Sequence, residues 1–114
     1  MEVKKSFLYQ NIDLENPNKN IVPVTTSVGS DGKLSIGGCS IEALVKKYDS
    51  PLYILDEVTL RNSCKAYRKA LEKYYPGDSL PIYASKANSS IFMSNLIASE
   101  GFGLDAVSEG ELLT

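Results

Sequence analysis

From residue 51 onward, short apolar runs alternate with stretches of helical periodicity, and this alternation limits the possible folds more than any other feature. Apolar runs of strand length occupy residues 51–55, 80–84 and 104–107. Between them, over residues 58–75 and 91–100, apolar side chains recur at intervals of three and four, as on one face of a helix. Strands that alternate with helices form βαβ units with a parallel sheet. The sequence therefore predicts an α/β fold.

The alternating pattern stops partway through an element. Ser108 and Glu111 have the Ser-x-x-Glu spacing of a capping box, which opens a helix close to the last residue, Thr114. A complete barrel of such units needs about 250 residues. We therefore expect the chain to be the N-terminal piece of a longer protein.

The residues before the alternating pattern differ in character. Residues 1–23 are polar and rich in asparagine, and we predict a flexible leader. Within residues 24–50, two β-prone runs flank Asp31-Gly32, which predicts a β-hairpin that ends in a plain turn at Gly37-Gly38. Ser40 then has the position of an N-cap for a short helix.

Composition and charge exclude several classes of function. The net charge is -2 and the charged residues are interspersed, so no basic surface is expected for nucleic acid or an anionic membrane. With no histidine and only Cys39 and Cys64, neither a zinc site nor a Ser-His-Asp triad is expected, and no metal is assigned. No secretory signal or membrane span is recognised, which predicts a cytoplasmic protein.

Lys86 follows the predicted strand 80–84 and precedes a turn into a helix. The carboxyl ends of parallel strands are where catalytic groups collect in α/β proteins. An amine that is partly withdrawn from water there loses its proton more easily and can attack a carbonyl to form a Schiff base. The alternative is a strand-end lysine that points into solvent, and position alone leaves both open.

Asp105 lies near the carboxyl end of the next predicted strand, so it is expected within several Å of Lys86. Its carboxylate either orients the lysine and holds nearby groups or bonds its own turn. The sequence GFGLDA at residues 101–106 fits a dinucleotide fingerprint by its letters. It follows a helix and opens a strand, however, which is the reverse of the required context.

Two motifs resemble those of the fold-type III pyridoxal-phosphate decarboxylases. They are YASKAN at residues 83–88 and GLDAVSEGEL at residues 103–112, and the likeness extends over about residues 36–114. Within that family the chain is most similar to the diaminopimelate decarboxylases. It departs from the family pattern at Ser85, where valine is common, and at Ser89-Ser90, where proline and asparagine are common.

The resemblance implies the N-terminal part of an alanine racemase-like (β/α)8 TIM-type barrel, with residues 51–114 as its first three βα units. The hairpin would belong to a second, β-rich domain. Lys86 would carry pyridoxal 5'-phosphate as a Schiff base, and Asp105 and Ala84 would contact the cofactor, Asp105 also as a catalytic residue. The implied reaction is decarboxylation of meso-2,6-diaminopimelate, a small amino acid, to L-lysine by a homodimer. The 114 residues alone would be inactive.

Three alternatives remain at this point. The first is another decarboxylase of the same fold, acting on arginine or carboxynorspermidine. The second is a non-catalytic pyridoxal-phosphate-binding protein, against which the hairpin before the barrel argues. The third is a small α/β binding domain that is complete at 114 residues, which conflicts with a helix that is cut off after Glu111.

Overall fold

The computed structural model describes residues 21–113, so most of the leader predicted for residues 1–23 lies outside the described residues. The chain forms two compact units, Met1–Leu60 and Arg61–Thr114, and each is described by itself. Within residues 21–113, no helix combines the length and the apolar character needed to cross a membrane.

The predicted hairpin is present in the first unit. Strand β1 (Ser27–Val28) pairs antiparallel with β2 (Leu34–Ile36), with Ser27 opposite Ser35. The turn between the two strands is closed by a hydrogen bond of 2.9 Å from the Gly29 amide to the Lys33 carbonyl. The predicted pairing of these two strands is confirmed. That the hairpin belongs to a larger β-rich domain stays a prediction.

The turn predicted at Gly37-Gly38 is confirmed, but the sequence did not predict the strand that follows it. Gly37 and Gly38 have φ angles of 59° and 76°, and they connect β2 to a third strand, β3 (Cys39–Ser40). Two consecutive residues with positive φ are characteristic of a type I′ turn, which suits glycine and matches the twist of paired strands. The diglycine is therefore the turn of a second hairpin.

Side-chain caps fix the starts of the two helices that begin in the first unit. The Ser40 hydroxyl accepts a hydrogen bond from the Ala43 amide at the start of α1 (Ile41–Tyr48), as predicted. The Asp56 carboxylate accepts one of 3.1 Å from the Thr59 amide at the start of α2 (Glu57–Tyr74) and another from the Thr59 hydroxyl. Satisfying free amides in this way stabilises a helix start by about 1 kcal/mol.

Residues 51–55 do not form a strand, so this prediction is wrong for the chain as the structure shows it. Tyr53 is 98% exposed. A strand requires a neighbour that supplies ladder hydrogen bonds, and the sheet of the first unit consists of β1, β2 and β3. Apolar composition alone cannot supply that neighbour.

The second unit contains the predicted parallel pair. Strand β4 (Ile82–Ala84) pairs in parallel with β5 (Gly103–Asp105), and α3 (Ile91–Ser99) connects them. The short helix α4 (Glu109–Leu112) follows β5. Both strands are shorter than predicted, because the ladder between them has only three residue pairs.

The connection from α3 to β5 is closed by hydrogen bonds around Gly101. Its amide donates to the Ala98 carbonyl at 3.0 Å, and the next amide, of Phe102, donates to the Ile97 carbonyl at 3.2 Å. Gly101 has a φ angle of 78°, so the two bonds form a Schellman motif. The predicted role of Gly101 in ending this helix is confirmed.

The core of the second unit is small and lies mainly on α3. Its buried apolar residues within the described chain are Cys64 on α2 and Met93, Leu96 and Ile97 on α3. Burial raises the pKa of the Cys64 thiol, and the Glu100 carboxylate acts in the same direction. The reactive thiolate of Cys64 therefore forms only at a higher pH.

An ion pair joins α2 to the end of α3. The Arg61 guanidinium donates from Nη1 to the Glu100 carboxylate at 2.7 Å and to the Ser99 hydroxyl at 3.0 Å. The Arg68 guanidinium donates to the Glu100 carbonyl at 3.3 Å. The Glu100 side chain is only 9% exposed, so the pair is better shielded from water than a surface salt bridge.

We expect Cys39 and Cys64 to differ in their rate of alkylation. Cys39 is exposed and Cys64 is buried with a raised pKa, so at about pH 8 Cys64 should react at least about tenfold more slowly. Brief iodoacetamide treatment of the complete protein followed by peptide mapping measures both rates, and denaturant should equalise them. Equal rates in the folded protein would show that this core is not formed.

Replacing Glu100 by glutamine should destabilise the protein. The change weakens the bond to Arg61 and removes a buried negative charge next to the half-shielded guanidinium, which should cost about 1 to 2 kcal/mol. The matched control is Glu72→Gln, which removes the same charge from an exposed pair with Arg68 at 4.0 Å. Urea unfolding of both variants provides the measurement, and equal midpoints would contradict a role for the Arg61–Glu100 pair.

Candidate functional site

The candidate site lies where β4 and β5 end. Their register places Ile82 opposite Gly103 and Ala84 opposite Asp105. Because the strands are parallel, both chains leave the sheet at the same edge. The segments that follow Ala84 and Asp105 therefore start side by side.

A single 3-10 turn (Ser85–Ala87) follows β4 directly and carries Lys86 at its centre. Its far end is held at Asn88, whose amide donates to the Ser85 carbonyl at 3.0 Å. The Asn88 carbonyl accepts a hydrogen bond of 3.4 Å from the Tyr83 hydroxyl. The backbone on the C-terminal side of Lys86 is thus fixed to the strand that precedes it.

Asn88 also links this turn to the next helix. Its side-chain oxygen accepts a hydrogen bond of 3.0 Å from the Ser90 amide. Ser90 in turn caps α3, because its hydroxyl accepts from the Met93 amide at 3.4 Å. Strand, turn and helix are therefore joined by consecutive short-range bonds.

The structure places Lys86 at the predicted strand end, but its side chain is exposed. The expectation that it is partly withdrawn from water is therefore wrong for the chain as described. The physical reason is that β4 has one strand neighbour, β5, in the sheet of this unit, so little protein surrounds the sheet edge. The amine is open to approach by a ligand.

Asp105 is the last residue of β5, and it is also exposed. Its main-chain carbonyl accepts a hydrogen bond of 2.7 Å from the Ser85 hydroxyl. Within residues 21–113, its carboxylate makes no hydrogen bond or ion pair, either with Lys86 or with its own turn. The two predicted residues therefore lie at one sheet edge without a direct bond between them.

The loop after Asp105 is closed by the predicted capping box, which is confirmed. The Glu111 carboxylate accepts hydrogen bonds from the amides of Val107 at 2.6 Å and Ser108 at 3.2 Å. The Glu111 amide donates to the Ser108 hydroxyl at 3.3 Å. These bonds leave only Ala106 between the end of β5 and the start of the cap.

An apolar cavity of about 480 Å³ borders the turn on the side of α2. Ala84 and Ala87 belong to its lining, whereas Lys86 does not. Most of the lining residues are apolar or aromatic: Tyr67, Leu71, Pro81, Ile82, Tyr83, Ala84, Ala87 and Phe102. The small side chains at positions 84 and 87 leave space next to the segment that carries the amine.

Sequence reasoning did not identify Ser85 and Asn88 as residues that shape the site. Ser85 is only 6% exposed although it is polar. A signal was available, since a small hydroxyl residue directly after an apolar strand commonly bonds a nearby backbone group. The partner of Ser85, twenty residues along the chain, could be found only with the strand register.

The sequence model of a known family matches residues 57–114, which is about half of the chain. That family is described as pyridoxal-dependent decarboxylase, pyridoxal binding domain. The matched region includes β4, the 3-10 turn with Lys86 and β5.

Individual relatives carry a consistent name. The chain is 50% identical over 99 residues to diaminopimelate decarboxylase from Synechocystis, covering 87% of this chain and 21% of the relative. It is 40% identical over 91 residues to diaminopimelate decarboxylase from Bacillus subtilis, covering 79% of this chain and 20% of the relative. The chain thus spans about one fifth of the length of these relatives.

A solved structure is also similar. It is the crystal structure of diaminopimelate decarboxylase from M. jannaschi, which matches with a TM-score of 0.70 and 32% sequence identity. The match covers 78% of this chain and 21% of that structure. The likeness in fold therefore agrees with the likeness in sequence.

Proposed function

Because the chain belongs to the pyridoxal-dependent decarboxylases, we propose that Lys86 is the residue through which it holds pyridoxal 5'-phosphate. We further propose that the whole protein is a diaminopimelate decarboxylase, as the names of its relatives suggest. The observation that carries the proposal is the position of Lys86. It is an exposed amine in a fixed turn at the carboxyl end of β4, beside the end of β5.

The residues of this edge fit the chemistry of the cofactor. Pyridoxal phosphate presents an aldehyde, and a primary amine that is open to solvent can reach it. Ala84 and Ala87 are small, so they leave room for a flat ring next to the turn. The free carboxylate of Asp105 offers a hydrogen-bond acceptor at the neighbouring strand end, which suits a contact with a polar or cationic group.

Each residue has a distinct task in the proposed reaction. Lys86 would hold the cofactor through its side-chain amine, which suits an aldehyde. The bound cofactor supplies an electron sink for the electron pair that remains when carbon dioxide departs from the substrate. Lys86 would release the cofactor to the substrate and would hold it again after the product has left. Asp105 orients these groups through charge-assisted bonds.

The proposed reaction converts meso-diaminopimelate to L-lysine and carbon dioxide. The relatives' names favour this substrate over arginine and carboxynorspermidine, and they favour an enzyme over a carrier of the cofactor. We propose a homodimer and a cytoplasmic location on the strength of the family resemblance alone.

Covalent labelling tests the role of Lys86. Borohydride reduction of the complete protein with pyridoxal phosphate should leave the label on the tryptic peptide that contains Lys86, and Lys86→Ala should abolish it. The control is Lys69→Ala, which removes an exposed lysine from α2. A label that stays on another side chain in the Lys86 variant would refute the proposal.

Replacing Asp105 by asparagine should lower kcat/KM for diaminopimelate by roughly 10- to 100-fold, because it removes the negative charge that would strengthen the proposed contact of Asp105 with the bound groups. Asp78→Asn is the matched control, since Asp78 is an exposed carboxylate outside the site. Steady-state kinetics and the dissociation constant for pyridoxal phosphate give the readouts. If both variants behave alike, Asp105 has no part in the site.

A further inference from the structure

Ser85 is a buried hydroxyl that the proposed reaction does not use. It is 6% exposed, and in the sequence it lies between Ala84, the last residue of β4, and Lys86. Its hydroxyl donates to the Asp105 carbonyl at 2.7 Å, across twenty residues of chain. A short bond between such distant positions fixes the spacing of the two segments that leave the sheet.

The bond from Ser85 lies just beyond the end of the β4–β5 ladder. The last backbone pair is Ala84 with Asp105, and at the next residue β4 changes into the 3-10 turn. Apart from the Ser85 hydroxyl, the bonds described here that hold the turn, from the Asn88 amide and from the Tyr83 hydroxyl, lie within residues 83–88, and neither connects the turn to β5. The hydrogen bond from the Ser85 hydroxyl to the Asp105 carbonyl connects the start of the turn to β5 through a side chain.

Lys86 therefore lies between two anchors. On its N-terminal side Ser85 is bonded to β5, and on its C-terminal side the Asn88 amide is bonded to the Ser85 carbonyl at 3.0 Å. Since the Lys86 side chain is exposed, its own packing contributes little to its placement. Its position relative to Asp105 depends mainly on the backbone that these anchors hold.

We propose that Ser85 is a positioning residue for Lys86, and that its hydrogen bond to the Asp105 carbonyl holds the lysine amine at the distance and angle at which it reacts. This inference rests on the proposed function of Lys86. Ser85 touches neither substrate nor cofactor in this role. Misplacement of a reacting group by a small distance lowers its rate steeply, so a single neutral hydrogen bond suffices for a measurable effect.

Four substitutions in the complete protein separate the hydroxyl from the shape of the side chain. Ser85→Ala removes the hydroxyl, Ser85→Val removes it while filling the space, and Ser85→Thr keeps the hydroxyl with nearly the shape of valine. The control is Ser99→Ala, which removes another 2.7 Å hydroxyl bond to a carbonyl, that of Leu96, at the far end of α3, together with the bond that the hydroxyl accepts from Arg61.

The first readout is the rate at which the absorbance of the lysine–cofactor bond appears when pyridoxal phosphate is added to the cofactor-free protein. The second is kcat and KM for diaminopimelate. We expect the lysine–cofactor bond to form about fivefold more slowly in the alanine and valine variants. Their kcat should fall about fivefold while KM stays unchanged. Ser85→Thr should stay within about twofold of the parent protein, and Ser99→Ala should match it.

Two results would overturn the positioning role alone while Lys86 still carries the label. One is a normal rate in the alanine and valine variants, and the other is an equal loss in all three Ser85 variants, which would assign the effect to side-chain shape. A different result, persistence of the absorbance in Lys86→Ala, would overturn both the proposed function and this inference.

Discussion

The parallel pairing of β4 with β5 is the constraint on which the site depends. The ladder is only three residue pairs long, and its last pair sets Ala84 beside Asp105. Since side chains alternate between the two faces of a strand, a slip of one residue would turn Asp105 to the opposite face. The site therefore has one workable register, and the bond from Ser85 to the Asp105 carbonyl is compatible only with that register.

The end of α3 supports this register from the other side of the unit. Glu100 closes the helix, and its carboxylate pairs with Arg61 on α2 while its carbonyl accepts from Arg68. The chain then reverses at Gly101 and enters β5 at Gly103. The same few residues thus end the helix, attach it to α2 and define where the strand begins.

Features that depend on local hydrogen bonds could be predicted from the sequence, and features that depend on distant partners could not. Gly101 and the Ser108 capping box were recognisable because their bonds span only a few residues. The apolar run at residues 51–55 has the composition of a strand, but composition does not supply a neighbour. Lys86 was placed correctly at the strand end, whereas its exposure depends on which elements surround the sheet edge. The partner of Ser85 required the register itself.

The brevity of the α3–β5 connection has a consequence for how βα units of this kind can be recombined. Its turn is closed by two backbone bonds and a left-handed glycine, so an inserted residue there would shift β5 along β4 and misalign the candidate site. Chimaeras that exchange βα modules between related enzymes are therefore better joined within the exposed part of a helix than at this junction. The length of the connection at Gly101 therefore sets the register of β5 against β4.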